Sequence, residues 1–370
     1  MNEKCRLILS GRISGKSFCV LLALIALLLN ACGSDDDGDT DIDGDAEVKF
    51  EDEAELDGDA ENSNEIDRES EIFIEEYEEE LSEISESDGD REFIIEEEAE
   101  PEADQETGPM KCNGFAGLCD KRYNEIAYVT THNSMSNSDD EWIAPNQIHN
   151  IETQLTDGVR GFMLDTYAWE GTTWLCHGDC TFGKKPLAEA LAEMKTFIDD
   201  NPHEVLTIIF ESYITPAETE TAFTESGLID YIYTPATNQT EWPTLEEMIN
   251  SDSKMVVYTD PWDSSAMDWH LDEWQYCWET PWHVTELEGF DCSVNRGSQD
   301  NGVFILNHFL YGAFDMPSQE LSAQANANPF LFERASGCLA ETGKMPNFIT
   351  VNHYSVGDVF EAINQLNGVE

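Results

Sequence analysis

Apolar side chains follow three different patterns along the 370 residues. One uninterrupted run, Cys19–Leu29, lies near the start. Between residues 33 and 108 apolar positions are scattered singly or in short patches among Asp, Glu, Gly, Ser and Ala. From residue 109 onward, short apolar runs alternate with stretches of helical period. The runs Ile126–Thr131, Val159–Leu164, Thr173–Cys176, Val205–Phe210, Met255–Thr259, Val303–Asn307 and Phe348–Val351 are rich in Val, Ile, Phe and Tyr and mostly lack a polar alternate, as buried parallel strands do. Between them, Leu187, Leu191, Met194, Phe197 and Ile198 share one helical face, opened by Pro186 and stopped by Asn201-Pro202. Val356, Val359, Phe360, Ile363 and Leu366 share another. Thr244 with Glu247 predicts a capping box for a helix through Ile249. Seven strands alternating with helices over some 260 residues predict an α/β fold, a (β/α) barrel with one strand missed or degenerate. An open, doubly wound sheet is the alternative. No glycine-rich phosphate loop follows any strand, so nucleotide binding lacks its usual anion cradle.

Charge divides the chain at the same places. The whole carries 78 acidic and 18 basic side chains, a formal net charge of −60. Such a field repels nucleic acid and excludes a binder driven by phosphate contacts. In the leader, Lys4, Arg6, Arg12 and Lys16 precede an apolar run too short for a comfortable bilayer span, the pattern of a secretory signal. Its end, Leu29-Asn30-Ala31-Cys32, resembles a bacterial lipobox. Residues 1–31 are therefore expected to be a lipoprotein signal peptide, with Cys32 lipidated as the mature N-terminus. Gly33 gives no signal for inner-membrane retention, so the expected location is the outer membrane or the cell surface, with a lipid anchor in the membrane. Residues 33–108 hold 36 acids and three bases and cannot bury enough apolar surface to fold, which predicts a disordered acidic stalk (32–108, counted from the anchor). Asp39 to Gly44 copies the start of a calcium loop, but the twelfth position is Phe50 rather than Glu, and the spacer reading stands.

The body, residues 109–370, has seven cysteines, and export favours their oxidation. Cys112 with Cys119, and Cys176 with Cys180, would close small loops. Cys292 with Cys338 would close a long one and leave Cys277 over. Spacing alone does not fix the connectivity. A monomer is the expected state.

Polar residues gather just past the carboxyl ends of the first four predicted strands: His132 and Asn133, then Asp165, His177 and Glu211. In a barrel those ends converge on the face where active sites are built. Two histidines can serve as base and acid in one reaction. Asn133, Asp165 and Glu211 offer only oxygen ligands, which suit Ca2+ or Mg2+ rather than zinc. Arg160, at a strand start, is expected in a structural salt bridge.

These residues lie in segments that carry a family likeness. Thr131-His132-Asn133-Ser134, Thr153-Gln154-Leu155 through Gly158 to Tyr167, Trp174-Leu175-Cys176-His177-Gly178 and Pro346-Asn347-Phe348-Ile349 resemble the X domain of phosphatidylinositol-specific phospholipases C, in the same order across 112–370. The resemblance implies a distorted TIM barrel that cleaves a phosphodiester by two-histidine chemistry. His132 matches the general base and His177 the general acid, and a cyclic inositol phosphate would form first. It implies Ca2+ on Asn133, Asp165 and Glu211, with Mg2+ or no metal as alternatives. Met163 stands where the calcium-dependent branch has a further Glu ligand, whereas the metal-independent branch has Arg at the position of Asp165. Asn352 stands where relatives tend to have an Asp that would orient a catalytic His. Arg296 and Asn352 are the candidate substrate-side residues, a phospholipid or phosphoinositol-type molecule being the expected substrate. His308 is a weaker candidate for the same mouth, and His353 is expected to be a packed or surface histidine rather than a third catalytic one.

Two further readings remain. One is a catalytically weak surface protein that binds phosphoinositol or glycan headgroups, favoured by Met163 and Asn352. The other is a glycerophosphodiesterase-like or sphingomyelinase D-like enzyme, whose His-Arg-Gly start and intact Glu-x-Asp are absent. Six tryptophans between Trp242 and Trp282 suit a lipid interface, a sugar-stacking wall or simple loop packing.

Overall fold

The computed structural model describes residues 109–236 and 241–369. The predicted leader, Cys32 and the acidic stalk lie outside the described residues. The described chain begins with a segment stapled by Cys112–Cys119 and enters β1 (Tyr128–Thr131), α1 (Ile151–Asp157) and β2 (Gly161–Trp169). A hairpin of β3 (Thr172–Cys176) and β4 (Lys184–Pro186) leads into α2 (Leu187–Asp200). Then come β5 (Leu206–Tyr213), α3 (Pro216–Ser226), α4 (Leu245–Asn250) and β6 (Met255–Asp260). Two short strands, β7 (His270–Asp272) and β8 (Cys277–Glu279), flank a single turn, α5 (Glu273–Tyr276). Finally come β9 (Arg296–Gly297), β10 (Val303–Asn307), α6 (Gln319–Ala325), α7 (Phe330–Thr342), β11 (Phe348–Val351) and α8 (Val359–Asn367).

Hydrogen bonding orders eight parallel strands as β7-β6-β5-β2-β1-β11-β10-β8. The two ends of that path, β7 and β8, are joined by only the four residues of α5. The sheet therefore has to curl round on itself. It forms a (β/α) barrel open at the β7/β8 seam, not a doubly wound open sheet.

One predicted barrel strand is corrected. Thr173–Cys176 is extended, but it pairs antiparallel with the end of β2, Thr166 opposite Leu175 and Trp169 opposite Thr172. Glu170 and Gly171 both have positive φ, +51° and +84°, and turn the chain back sharply as a two-residue hairpin loop does. The barrel is completed instead by β7 and β8. Each is three residues long and contains His, Asp or Glu, so neither makes an apolar run.

Two packed clusters follow from the period of two along each strand. Phe162, Leu164, Ile208, Phe210, Val257, Phe304, Leu306 and Ile349 face outward, packed in one cluster with Leu187, Leu191, Met194 and Ile198 of α2. Tyr128, Ile209, Val256, Tyr258, Cys277, Val303, Ile305 and Phe348 fill the barrel with Tyr123 and Leu118 from the preceding segment. The predicted capping box forms between Thr244 and Glu247, and Arg160 makes its expected salt bridge, with Glu204 at 2.7 Å. The inward sequence continues past the apolar layers to the carboxyl ends, where it becomes polar. Asp165, Glu211 and Asp260 stand in register on β2, β5 and β6.

Candidate active site

The mouth formed by these ends encloses about 630 Å³. His132 follows β1 directly. Its backbone N–H donates to Val351 O (3.0 Å), and its carbonyl accepts from Gln147 Nε2 (2.8 Å), which also reaches Val351 O. The loop is thereby tied to β11. Behind the ring, Asn352 Oδ1 lies 3.0 Å from His132 Nδ1 and also accepts from Asn146 Nδ2 at 3.1 Å. An amide oxygen only accepts, which assigns the His132 proton to Nδ1 and leaves the Nε2 lone pair toward the mouth, within reach of the Asn133 amide. Phe309 stacks on the ring.

His177 arrives on the end of the β3 excursion, inside a loop closed by Cys176–Cys180. It is exposed at the mouth. Asn133 joins the two histidines: its Nδ2 lies 3.3 Å from His132 Nε2 and 3.2 Å from His177 Nε2. The two imidazole nitrogens are therefore at most 6.5 Å apart. That is a span within which one phosphate can accept a hydrogen bond on either side. Burial lowers the pKa of His132 to about 3, the nearby His177 adds to the effect, and the Asn352 hydrogen bond opposes it. Partial desolvation within the mouth also lowers His177, while Glu211 pulls it back up.

Asp165 and Glu211 face one another across β2 and β5. Asp165 is only 5% exposed, and among the described residues no donor reaches its carboxylate. Burial, with the Glu211 charge added, raises its pKa well above the carboxylate range. Tyr213 donates to Glu211 and stacks on Tyr167 at 4.6 Å. Asn133, Asp165 and Glu211 all line the mouth, with Met163 beside them. An uncompensated buried carboxylate next to a second carboxylate and an amide suits a hard cation. The set has only two carboxylates, and the described residues contain no cluster of three His, Cys, Asp or Glu arranged to hold a metal.

The other proposed residues are distributed as follows. Arg296 lines the mouth, gripped by Glu279 (2.6 Å) and Asp260 (2.9 Å) and laid over Trp274. Asn352 is buried behind His132 and does not line the mouth. His308 is a correction. It is fully buried on the outward side, between Arg334 Nη1 (2.7 Å) and Ala325 O (2.8 Å), because Asn307 takes the inward place. His353 is packed against Ser322 Oγ at 3.0 Å. Cys112–Cys119, Cys176–Cys180 and Cys292–Cys338 are bonded, and Cys277 is free and buried. Of the six tryptophans, Trp262 and Trp282 are exposed; Trp269 and Trp278 are core. Asp260 and Asn307, at the carboxyl ends of two later predicted strands, share the strand-end signal without being among the expected site residues; Glu273, Glu279 and Phe309, also on the mouth, carry no local signal, and only the strand register gathers them.

Comparison with known proteins gives the following likenesses. The family model described as PI-PLC X 1 matches residues 118–367. An uncharacterized secreted protein of Arthroderma benhamiae is 30% identical over 72% of this chain and 66% of its own length. A PI-PLC X domain-containing protein of Arabidopsis thaliana is 30% identical over 66% of this chain and 62% of its own. The chain thus spans just under two thirds of each of these relatives. Among solved structures, a variant of the phosphatidylinositol-specific phospholipase C from Staphylococcus aureus aligns with a TM-score of 0.49 and 15% identity, covering 68% of this chain and 94% of that one.

Proposed function

The chain belongs to the PI-PLC X family, and from that premise we propose that it is an exported phosphodiesterase acting on a phosphoinositide-type phosphodiester, with His132 as base and His177 as acid. The observation that carries this reading is the Asn133 amide, which touches Nε2 of both rings and so holds two imidazoles around one gap.

In this mechanism His132 Nε2 takes the proton of a headgroup hydroxyl beside the phosphate. That oxygen attacks phosphorus, the bond from phosphorus to the lipid oxygen breaks, and protonated His177 gives its proton to the departing alcohol. The products are a cyclic phosphodiester and a diacylglycerol-type alcohol. Water can then open the ring with the two roles exchanged. Asn352 fixes the His132 tautomer. Glu211, like the bound phosphodiester, favours the protonated form of His177. Asn133, Asp165 and Glu211 would hold Ca2+, or Mg2+ in its place, which supplies positive charge beside the phosphate. The secreted relative, the three disulfides and the basic-apolar leader support export, and Cys32 is the proposed lipid attachment point.

A headgroup-binding surface protein without turnover is the second reading. It draws on Met163 in place of a fourth ligand and on the neutral Asn352 behind His132. The deciding experiment incubates the full-length protein with phosphatidylinositol vesicles, with Ca2+ or with EDTA. Release of cyclic inositol phosphate that His132→Ala and His177→Ala each abolish is the expected result. Binding without release would establish the second reading instead.

A further inference from the structure

We propose that Glu273 is the specificity residue of a subsite for a primary ammonium group carried on the headgroup, a subsite whose place beside the reacting phosphate rests on the phosphodiesterase reading. Five carboxylates line the mouth: Asp165, Glu211, Asp260, Glu273 and Glu279. Arg296 is the one Lys or Arg side chain among the lining residues, and it is already committed, its Nε to Glu279 and its Nη1 to Asp260. Glu279, 2% exposed, is fully engaged, taking Asn295 and Arg296 on one oxygen and Asn307 on the other.

Glu273 is different. It opens α5 at the barrel seam, where Asp272 caps the turn by accepting from Trp274 N at 3.1 Å. Its side chain is 4% exposed, borders the mouth, and has neither a hydrogen-bond donor nor an ion-pair partner among the described residues. A carboxylate so desolvated and so poorly compensated is costly unless something completes it. Burial raises its pKa strongly, and only the charge of Arg296 works against that.

The missing partner has a definite chemistry. A second phosphate on the headgroup would meet Glu273, Asp260 and Glu279 with one spent arginine between them, and would be repelled. A neutral hydroxyl would leave the charge balance as it is. A cation held by Asp165 and Glu211 would still leave Glu273 without a hydrogen-bond donor. An ammonium group brings three donors and a second positive charge to a buried carboxylate that has no donor and only the already paired Arg296 charge nearby. An anion-repelling wall also selects against phosphorylated headgroups, so one feature both attracts and rejects.

The test measures binding to the full-length protein by calorimetry, so that it does not depend on turnover. The probes are myo-inositol, the monoamino-inositols in which one hydroxyl is replaced by an ammonium, and their N-acetyl derivatives. At least one amino-inositol should bind about 10-fold more tightly than myo-inositol, as one well-placed charge-assisted contact provides. Acetylation of its nitrogen should remove the gain, and Glu273→Gln should bring the ratio of the two affinities close to one. Equal binding of amine and hydroxyl forms, absence of saturable amino-inositol binding, or a preference that survives Glu273→Gln overturns the proposal. The acetylated probe needs no variant, so a folding defect in Glu273→Gln does not blunt the test. An amine preference without phosphodiester cleavage would overturn the enzyme reading and keep the subsite.

Discussion

The ring of Phe309 lies flat on the ring of His132, with 4.0 Å between centroids and 8° between planes. Phe309 follows β10 at the barrel mouth and is 3% exposed. It shields one imidazole face from water and, with the Asn352 hydrogen bond, leaves the ring little freedom to turn. Replacing Phe309 with Ala admits water to that face. The His132 pKa should rise from about 3 toward its ordinary value of 6.5, since burial is the main cause of its depression. The acid limb of the pH–rate profile should therefore move to higher pH. Loosening the base should lower kcat about 10-fold or more, and the emptied space should cost about 3–5 kcal/mol of stability. A pH–rate profile alongside chemical denaturation separates the two effects. An unmoved acid limb would show that the stacking does not set the protonation of His132.

Asn352 gives His132 an acceptor without a charge. When the base takes a proton, Asn352 can still hold Nδ1–H, but nothing balances the imidazolium. Asn352→Asp supplies that balance and should raise the His132 pKa, increasing kcat at neutral pH by about 10-fold, within the range of general-base effects. Asn352→Leu leaves Nδ1–H and the Asn146 amide without an acceptor, at a cost of about 1–3 kcal/mol in stability, with activity reduced. If the Asp variant gains nothing, the base is not limited by the charge behind it.

The barrel was legible because its long strands are buried on both sides and read as apolar runs. The pair β7 and β8 was not, for three residues drawn from His270–Asp272 or Cys277–Glu279 carry no periodic signal. His132, Asp165, His177 and Glu211 were legible as polar residues at strand ends. The assignment of His308 to the mouth failed on parity: Val303 and Ile305 point inward, so Asn307 does too and His308 points away. Glu273, Glu279 and Phe309 had no such handle, because their meaning depends on which distant strands become neighbours.

His308 also predicts acid sensitivity. Burial, with the charge of Arg334 added, lowers its folded pKa to about 3. The unfolded chain takes up the proton first, near pH 6.5, so this site contributes stability above that pH. The contribution is lost progressively as pH falls toward 3. Asn at position 308 removes the titrating group, so the loss of stability between pH 6.5 and 4 should be shallower by up to one proton per molecule. Unfolding free energies from urea melts at several pH values measure that slope. An unchanged slope would assign the acid sensitivity to other groups.

Two of the disulfides should fail differently. Cys292–Cys338 spans 46 residues and Cys176–Cys180 spans four. Loop-closure entropy assigns about 4 kcal/mol to the first and about 2 kcal/mol to the second. The short bridge, however, encloses His177. Cys176→Ser with Cys180→Ser should therefore lower activity by more than its smaller effect on stability explains. Cys292→Ser with Cys338→Ser should lower the melting temperature further and leave kcat of the folded fraction near wild type. Melting curves and active-fraction kinetics distinguish the pairs, and full activity without the short bridge would separate His177 from the stiffness of its loop.

Asp165 links stability to the cation. With no donor on its carboxylate and Glu211 beside it, the residue opposes folding when ionised and nothing is bound. Asp165→Asn removes the charge at constant shape, so in EDTA the variant should melt at a higher temperature than wild type, by a few degrees for a domain of this size. Calcium should reverse the order. A cation at 100 times its dissociation constant adds about 2.7 kcal/mol to the protein that binds it, and Asp165→Asn should lose most of that gain. Glu211→Gln should also lose it, although Tyr213 already donates to that carboxylate and the gain in EDTA should be smaller. Thermal melts of wild type and both variants, each with EDTA, Ca2+ and Mg2+, provide the comparison without any substrate. Were Asp165→Asn to melt below wild type in EDTA, the carboxylate would have a compensating partner, and the case for a cation at this end of the barrel would fail.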